Sequence, residues 1–270
     1  MDLTVIKISG SEGSDIDAVC DDLAELNREG RPTVLVHGAS AAATDLARRA
    51  GVPVRMITSP GGHSSRYTDP ATLEMYVAAA AGLMNKEIVG RLQARGVQAV
   101  GLSGMDGRLL QAQRKRAIRA VENGRQRIIR DDYSGRLTGV NHELLLLLLT
   151  AGYVPVVAPL AIGAEAEPLN VDGDRAAAMI AAALQADVLV ILANVPGLLA
   201  DFPDESSLVG CVRLGEIERA MDLAQGRMKR KVLAAQEALS GGVGRVVLAD
   251  ARRTAPIRAG LAGQGTLFIP

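Results

Sequence analysis

The sequence predicts an α/β protein, a three-layer α/β/α sandwich whose central sheet is mostly parallel, has about eight strands and carries a β-hairpin excursion. Three observations lead there. Short Val-, Ile- and Leu-rich runs alternate with longer helical patterns. The runs are apolar at nearly every position, as in strands covered on both faces. The alternation breaks once, over residues 104–136, where charged and β-like stretches replace it. At 270 residues the chain can build a core without disulfides or metal, and 48% hydrophobic against 22% charged residues exclude wholesale disorder.

In chain order the strand candidates are Leu3–Ile8, Thr33–Val36, Val54–Ile57, Ala99–Leu102, Val154–Ala158, Val188–Leu192, Arg245–Leu248 and Thr266–Ile269. The helix candidates between them are Asp15–Glu29, Ala41–Ala50, Pro70–Arg95, Asn141–Ala151, Ala176–Ala186 and Leu223–Ser240. No repeat or linker interrupts this series, so two lobes, residues 1–165 and 166–270, are expected to share one sheet. Asp69 as N-cap and Pro70 at the first helical position open the longest helix, and Gly96 follows its end. It runs for roughly 26 residues, about 39 Å. Its Ala78-Ala79-Ala80-Ala81-Gly82 patch permits close helix approach, either inside the core or across a second copy in a homodimer.

The excursion is basic. Between Arg108 and Arg136 nine Lys/Arg stand against three acids, although Lys+Arg and Asp+Glu are 30 each over the whole chain. Glu122-Asn123-Gly124-Arg125 predicts a hairpin turn. Such a run is either a solvated charged hairpin or a dock for an acidic partner, with Arg108, Arg114, Lys115, Arg116, Arg119, Arg125, Arg127 and Arg130 as the docking residues.

Composition narrows the remaining classes. Overall neutrality argues against a general polyanion binder, and 2% aromatic residues with no Trp leave little for stacking on single-stranded nucleic acid, so no nucleic-acid partner is expected. The longest apolar run, Leu144–Leu149, is far short of the roughly 20 residues of a membrane helix, and no basic region precedes an apolar run at the N-terminus. No membrane partner and a cytoplasmic location are expected. Cys20 and Cys211 read as small buried hydrophobes. His37, His63 and His142 show no metal-ligand spacing, so no metal site is expected, and His37 reads as a satisfied strand-end histidine.

Several groups can address phosphate. Lys7 ends the first strand beside the Ser9-Gly10 turn. Val36-His37-Gly38-Ala39-Ser40 runs from a strand straight into a helix whose first N–H groups suit an anion. Only five of the 30 basic residues are Lys (Lys7, Lys86, Lys115, Lys229 and Lys231), so a Lys at a glycine-containing turn suggests a demand for a compact point charge. Asn170-Val171-Asp172-Gly173-Asp174 precedes a helix; Asp174 is either an N-cap or a carboxylate that keeps nearby lysines charged. Arg66, in a Gly- and Ser-rich loop before the long helix, is placed to grip a carboxylate.

Together these motifs resemble the amino acid kinase family, in its acetylglutamate kinase branch. Lys7-Ile8-Ser9-Gly10 is similar to the family's first-strand Lys-x-Gly-Gly, and Val36-His37-Gly38-Ala39-Ser40 to its His-Gly-Gly-Gly loop. Arg66 with Thr68 resembles Arg-x-Thr, and Asn170–Asp174 resembles Asn-x-Asn-x-Asp. Asn194-Val195-Pro196-Gly197-Leu198 resembles the nucleotide loop, and Gly226-Arg227-Met228-Lys229-Arg230-Lys231 the Gly-x-Met-x-x-Lys ending. Details of the last three motifs, with Gly101-Leu102-Ser103-Gly104-Met105-Asp106-Gly107, lean towards the subgroup that acts on 2-aminoadipate attached to a small acidic carrier protein in lysine biosynthesis.

The resemblance implies phosphoryl transfer from ATP, with Mg²⁺ carried by the nucleotide, to a side-chain carboxylate. It implies Lys7, Lys231 and Asp174 as catalytic residues, and Gly38, Ala39, Arg66 and Asn170 as substrate-binding. Gly10, Asn194, Gly197 and Met228 become nucleotide-binding. The N-terminal lobe would hold acceptor, carrier and dimer contacts, the C-terminal lobe ATP, and the basic run would be the carrier's dock. The rival within the branch is a kinase for free N-acetylglutamate in arginine biosynthesis. The chain departs from the family pattern at Ser9, at Ala39-Ser40 and at Asn194. Ala39 fits only if its φ is negative.

Overall fold

The computed structural model describes residues 2–10, 13, 15–60, 64–122 and 125–270, the side chains of Glu122 and Arg125 excepted. An eight-stranded sheet runs through the middle, in the order Cys211–Arg213, Thr266–Ile269, Arg245–Asp250, Val188–Ala193, Thr4–Ile8, Thr33–His37, Val154–Ala158 and Ala99–Ser103. Neighbours are parallel except where Thr266–Ile269 turns antiparallel to Arg245–Asp250.

The two-residue period of the strands produces the three layers. Val5, Val34, Val36, Val157, Leu189 and Ile191 face one side, under the helices Gly173–Ala183 and Met228–Ser240. Ile6, Ile8, Leu35, Val156, Val190 and Leu192 face the other, under Ile16–Arg28, Asn85–Gln93 and Pro256–Leu261. Both faces are buried, which is why these strands read as continuous apolar runs.

Two expected elements fall elsewhere. Val54–Ile57 is not in the central sheet; the strand there is Met56–Thr58, in which only Ile57 is buried, and it belongs to a small peripheral sheet. The eighth central strand is Cys211–Arg213, an edge strand that buries Val212 alone and so leaves no apolar run to read. Exposure of Cys211 also corrects its reading as a buried hydrophobe; Cys20 is buried, and burial pushes its thiol up to about 11. The helix expected over 223–240 is two, Ile217–Leu223 and Met228–Ser240, parted by a turn in which Gly226 takes φ +51°.

The long helix is capped as expected: Asp69 accepts the Thr72 N–H at 2.8 Å, with Pro70 at the first position. It is helical from Pro70 to Gln93 but not uniformly α, since Ala78–Met84 is a π-helical stretch. Ala79 and Ala80 are buried against the helix Ser40–Arg49, so two residues of the five-residue patch serve the chain's own core. The π stretch ends at Asn85, which is fully buried and donates from Nδ2 to the Val156 carbonyl at 2.9 Å and to His37 Nε2 at 3.1 Å. His37 is the satisfied strand-end histidine of the sequence reading, held neutral because burial lowers its pKa to about 4.

The basic excursion is a two-part ribbon. Leu110–Arg114 pairs with Gly135–Val140 in a sheet completed by Leu160–Ile162 and Pro168–Asn170. Ile118–Glu122 pairs antiparallel with Arg125–Ile129, from Ile118 opposite Ile129 to Glu122 opposite Arg125, as the hairpin expectation requires. Its turn, Asn123-Gly124, lies outside the described residues. The ribbon joins Met56–Thr58, and through it Ser64–Arg66, in one four-stranded sheet.

Asn85→Ala strands His37 Nε2 and the Val156 carbonyl without their donor inside the core. A loss of about 1–3 kcal/mol is expected, seen as a lower midpoint in urea unfolding with an unchanged m-value.

Candidate active site

Lys7, Asp174 and Lys231 meet at the carboxyl ends of the central strands. Lys7 is the penultimate residue of the first strand, Asp174 sits in the first turn of Gly173–Ala183, and Lys231 in the first turn of Met228–Ser240. Lys7 Nζ is 2.5 Å from Asp174 Oδ1, and Lys231 Nζ is 3.1 Å from each Asp174 oxygen. All three are over nine-tenths buried. Burial alone would raise the Asp174 pKa, but the two ammonium groups outweigh it and hold the carboxyl well below the usual range. Burial lowers the Lys231 ammonium to about 8, with Asp174 opposing the shift and Lys7 adding to it.

Asp174 is not the helix cap. That role falls to Asp172, whose Oδ1 accepts from the Asp174 and Arg175 N–H groups at 3.0 and 3.1 Å. The spacing of two residues lets one carboxylate close the helix while the next faces the lysines. Arg230, which sequence reasoning did not single out, pairs with Asp172 Oδ2 at 3.4 Å and donates to the Ser64 carbonyl. It therefore ties the helix of Lys231 to the strand of Arg66.

Two backbone turns cross beside Lys7. A Cβ on Gly10 would lie 2.2 Å from Ala39 N, and one on Gly38 would lie 2.4 Å from Gly10 N, so both positions need glycine for closeness. The Gly10 carbonyl accepts from Ala41 N at 2.7 Å. Ala39 has φ −141°, negative as the sequence analysis required, and Ser40 begins the helix Ser40–Arg49.

Arg66 reaches this helix, donating from Nη2 to Ser40 O at 3.0 Å and Thr44 Oγ1 at 2.7 Å. Its Nη1 is buried with no hydrogen-bond partner among the described residues, a donor available to an anion. Asn170 donates to Thr68 Oγ1 at 3.0 Å. Asp132, fully buried and also missed, accepts from Thr68 N at 2.9 Å and Ser134 N at 2.7 Å. An acid inside a basic run was the signal that could have found it.

On the other side of Lys231 lies a cavity of about 480 Å³, lined by Ser9, Asn194, Gly197, Leu223, Met228 and Lys231 among others. Gly197 is small because a Cβ there would come within 2.5 Å of Thr266 Oγ1, which accepts the neighbouring Leu198 N–H. Of the expected nucleotide residues, Asn194, Gly197 and Met228 line this cavity, whereas Gly10 lies against Gly38 and Ala39.

In the basic ribbon Arg108, Lys115, Arg116, Arg119, Arg127 and Arg130 are exposed. Arg114 is half-buried, with its guanidinium 3.5 Å from the Tyr133 ring centre and Nε donating to Asp132 O. Arg116 reaches Glu165 at 3.0 Å. The Arg125 side chain lies outside the described residues.

Among the described residues no helix is long and apolar enough to cross a membrane, and no group of His, Cys, Asp and Glu is arranged to hold a metal ion.

A mostly parallel sheet carries paired lysines on one carboxylate beside a large cavity, and residues 2–250 match the model of the amino acid kinase family. The chain belongs to that family. It is 50% identical to the LysW-aminoadipate kinase of Deinococcus radiodurans, over 99% of this chain and 91% of that protein. It is also 50% identical to the LysW-aminoadipate kinase of Thermus thermophilus, over 98% and 99%. A crystal structure from Streptococcus mutans shares the fold, at TM-score 0.78 and 23% identity, covering 99% of this chain and 98% of that one.

Lys231 loses its charge as pH rises through its lowered pKa. The profile of kcat/KM, which reports the free enzyme, should therefore fall on a basic limb near pH 8. The limb for kcat should lie higher, because bound phosphate favours the charged lysine.

Proposed function

We propose that this chain transfers the terminal phosphoryl group of ATP to the side-chain carboxylate of 2-aminoadipate attached to an acidic carrier protein, giving an acyl phosphate and ADP. Carrier-linked glutamate is a second acceptor of the same kind. The observation that carries the reading is the convergence of Lys7 and Lys231 on Asp174. It lies between a cavity large enough for a nucleotide and a pair of backbone turns next to the unpaired Arg66 Nη1.

In this reading residues 166–270 hold ATP and residues 1–165 hold the acceptor. The apolar cavity receives the base, with Asn194, Gly197 and Met228 around the nucleotide. Lys231 offsets charge on the ADP side, and Lys7 offsets it on the moving phosphoryl group. Asp174 fixes both ammonium groups at the geometry the transfer needs, so electrostatics and positioning supply the catalysis. The Gly38–Ala39 backbone, with Gly10 against it, positions the acceptor carboxylate. Arg66 and Asn170 hold the amino-acid end. Both Asp174 oxygens already face ammonium groups, so the site suits Mg²⁺ that arrives on the nucleotide phosphates rather than on a protein carboxylate.

The exposed basic side chains of the ribbon support the carrier as partner, because the ribbon shares a sheet with the strand that ends in Arg66. A free amino acid uses no such surface. Half-exposed Leu83, next to Gly82 on the long helix, supports a homodimer formed through that helix. A cytoplasmic location and a role in lysine biosynthesis, or in arginine biosynthesis for the glutamate reaction, belong to the same proposal.

Lys7→Ala and Lys231→Ala are each expected to lower kcat by about 100-fold or more, the scale of losing one preorganised charge contact, while circular dichroism stays unchanged. Near-wild-type turnover in both would defeat the catalytic assignment. In a kinase assay, carrier-linked aminoadipate should outpace free N-acetylglutamate. The double charge reversal Lys115→Glu/Arg116→Glu should raise KM for the carrier-linked acceptor and flatten its salt dependence, leaving KM for ATP unmoved. Equal use of free N-acetylglutamate would favour the arginine-pathway reading instead.

A further inference from the structure

We propose that Phe202 is the base-stacking platform of the nucleotide cavity, its ring lying against the purine of the bound nucleotide on a loop already held in place before the nucleotide arrives. The inference rests on the reading of that cavity as the ATP site and extends it to a residue outside every motif of the sequence analysis.

The chain has two Phe, four Tyr and no Trp. Phe268 is fully buried, as a large apolar side chain should be, but Phe202 is 54% exposed. Its position explains the exposure. Phe202 lines the same cavity as Lys231, together with Val195, Leu199 and Leu223. The lining thus combines an ammonium group suited to phosphates with apolar walls and one aromatic side chain suited to a flat heterocycle.

The loop that carries Phe202 is fixed from three sides. Leu199 bridges to Leu208, and Ala200 N donates to Ser207 O at 2.9 Å, which closes the loop at its base. Asp201 N donates to Ser207 Oγ at 3.0 Å, and Asp204 caps the short Glu205–Ser207 turn by accepting from Ser206 N at 2.9 Å. Arg252 then pins the loop to the sheet. It gives two hydrogen bonds to Glu205, at 2.8 and 3.1 Å. On its other edge it gives two to Asp250, the last residue of Arg245–Asp250, both at 2.7 Å. So many polar ties on a surface loop that presents an aromatic ring to water are what a preorganised platform requires. The ordering entropy is spent in folding, and the ligand meets a ring already in position.

Stacking does not read hydrogen-bonding edges, so it favours the larger ring overlap of a purine over a pyrimidine. Phe202 is assigned to base affinity and base preference, not to the chemical step, and Arg252 is a positioning residue that acts through the loop.

The test uses the full chain and takes advantage of its lack of Trp. Phe202→Trp introduces a single indole into an otherwise Trp-free protein. Titration with ATP should change its emission saturably, with the same Kd that calorimetry gives. Phe202→Ala should raise KM for ATP about tenfold or more and narrow the preference for ATP over CTP. Its kcat and its KM for the carrier-linked acceptor should stay at wild-type values. Phe202→Leu, which keeps apolar bulk without a π-face, should behave like Phe202→Ala. The proposal is overturned if Phe202→Trp binds ATP by calorimetry with unmoved emission, or if Phe202→Ala or Phe202→Leu keeps the wild-type KM for ATP; the nucleotide reading survives those results. If the unaltered chain binds no ATP in calorimetry, the nucleotide reading falls and this inference falls with it.

Discussion

One carboxylate shared by two buried ammonium groups joins three elements of this fold at a single point. Asp174 comes from a helix start, Lys7 from a strand end and Lys231 from another helix start, so three elements converge on two oxygen atoms. Removing water from three charges costs several kcal/mol per ion, and the arrangement stands because each ammonium faces the carboxylate directly. The cluster still carries an excess of one positive charge in a dry setting. Burial keeps Lys231 easier to deprotonate than a solvated lysine, with Asp174 opposing that shift and Lys7 adding to it.

The geometry around the cluster follows from close backbone contact. Gly10 and Gly38 touch through main-chain atoms, which brings the turn after Lys7 against the turn that opens the next helix. Without that contact Lys7 and the Ser40–Arg49 helix start would be separated by at least a methyl group from each side. From the opposite direction Arg230 links the Lys231 helix to Ser64, and Arg66 links the same strand to Ser40 and Thr44. The helices Met228–Ser240 and Ser40–Arg49 are therefore tied by two arginines running in opposite senses across the Ser64–Arg66 strand. Asn85 adds a third constraint from beneath, because its bond to His37 fixes the residue immediately before Gly38.

What was legible in the sequence was what local physics determines. Strands buried on both faces read as apolar runs, and seven of the eight central strands were found that way. The long helix announced itself by Asp69 and Pro70. The rare lysines marked two corners of the charge cluster because 25 of the 30 basic residues are Arg. Features that depend on contacts distant in sequence were not legible. Cys211–Arg213 is a strand only because Thr266–Ile269 offers it an edge. The π stretch at Ala78–Met84 leaves no signature in a run of alanines. Which of Asp172 and Asp174 caps the helix is decided by lysines 167 and 57 residues away from Asp174, so spacing alone left both roles open. Asp132 looked like one more charge in a charged run, and is buried because Thr68 and Ser134 need its two oxygens.

The zero net charge of the chain has the same character. It is a sum over a basic ribbon and an acidic remainder, and electrostatic attraction is felt only over a Debye length of about 8–10 Å at physiological salt. A partner meeting the ribbon senses the ribbon and not the total. The ribbon and the Arg66 strand are hydrogen-bonded parts of one small sheet, so its basic surface is continuous with a side chain that reaches the start of Ser40–Arg49. Arg230 links the same sheet to the helix of Lys231. In the proposed reading, capture of a large acidic partner and placement of its small reactive group both fall to this one sheet. Lys7 and Lys231 stand apart from that sheet, each held directly against Asp174.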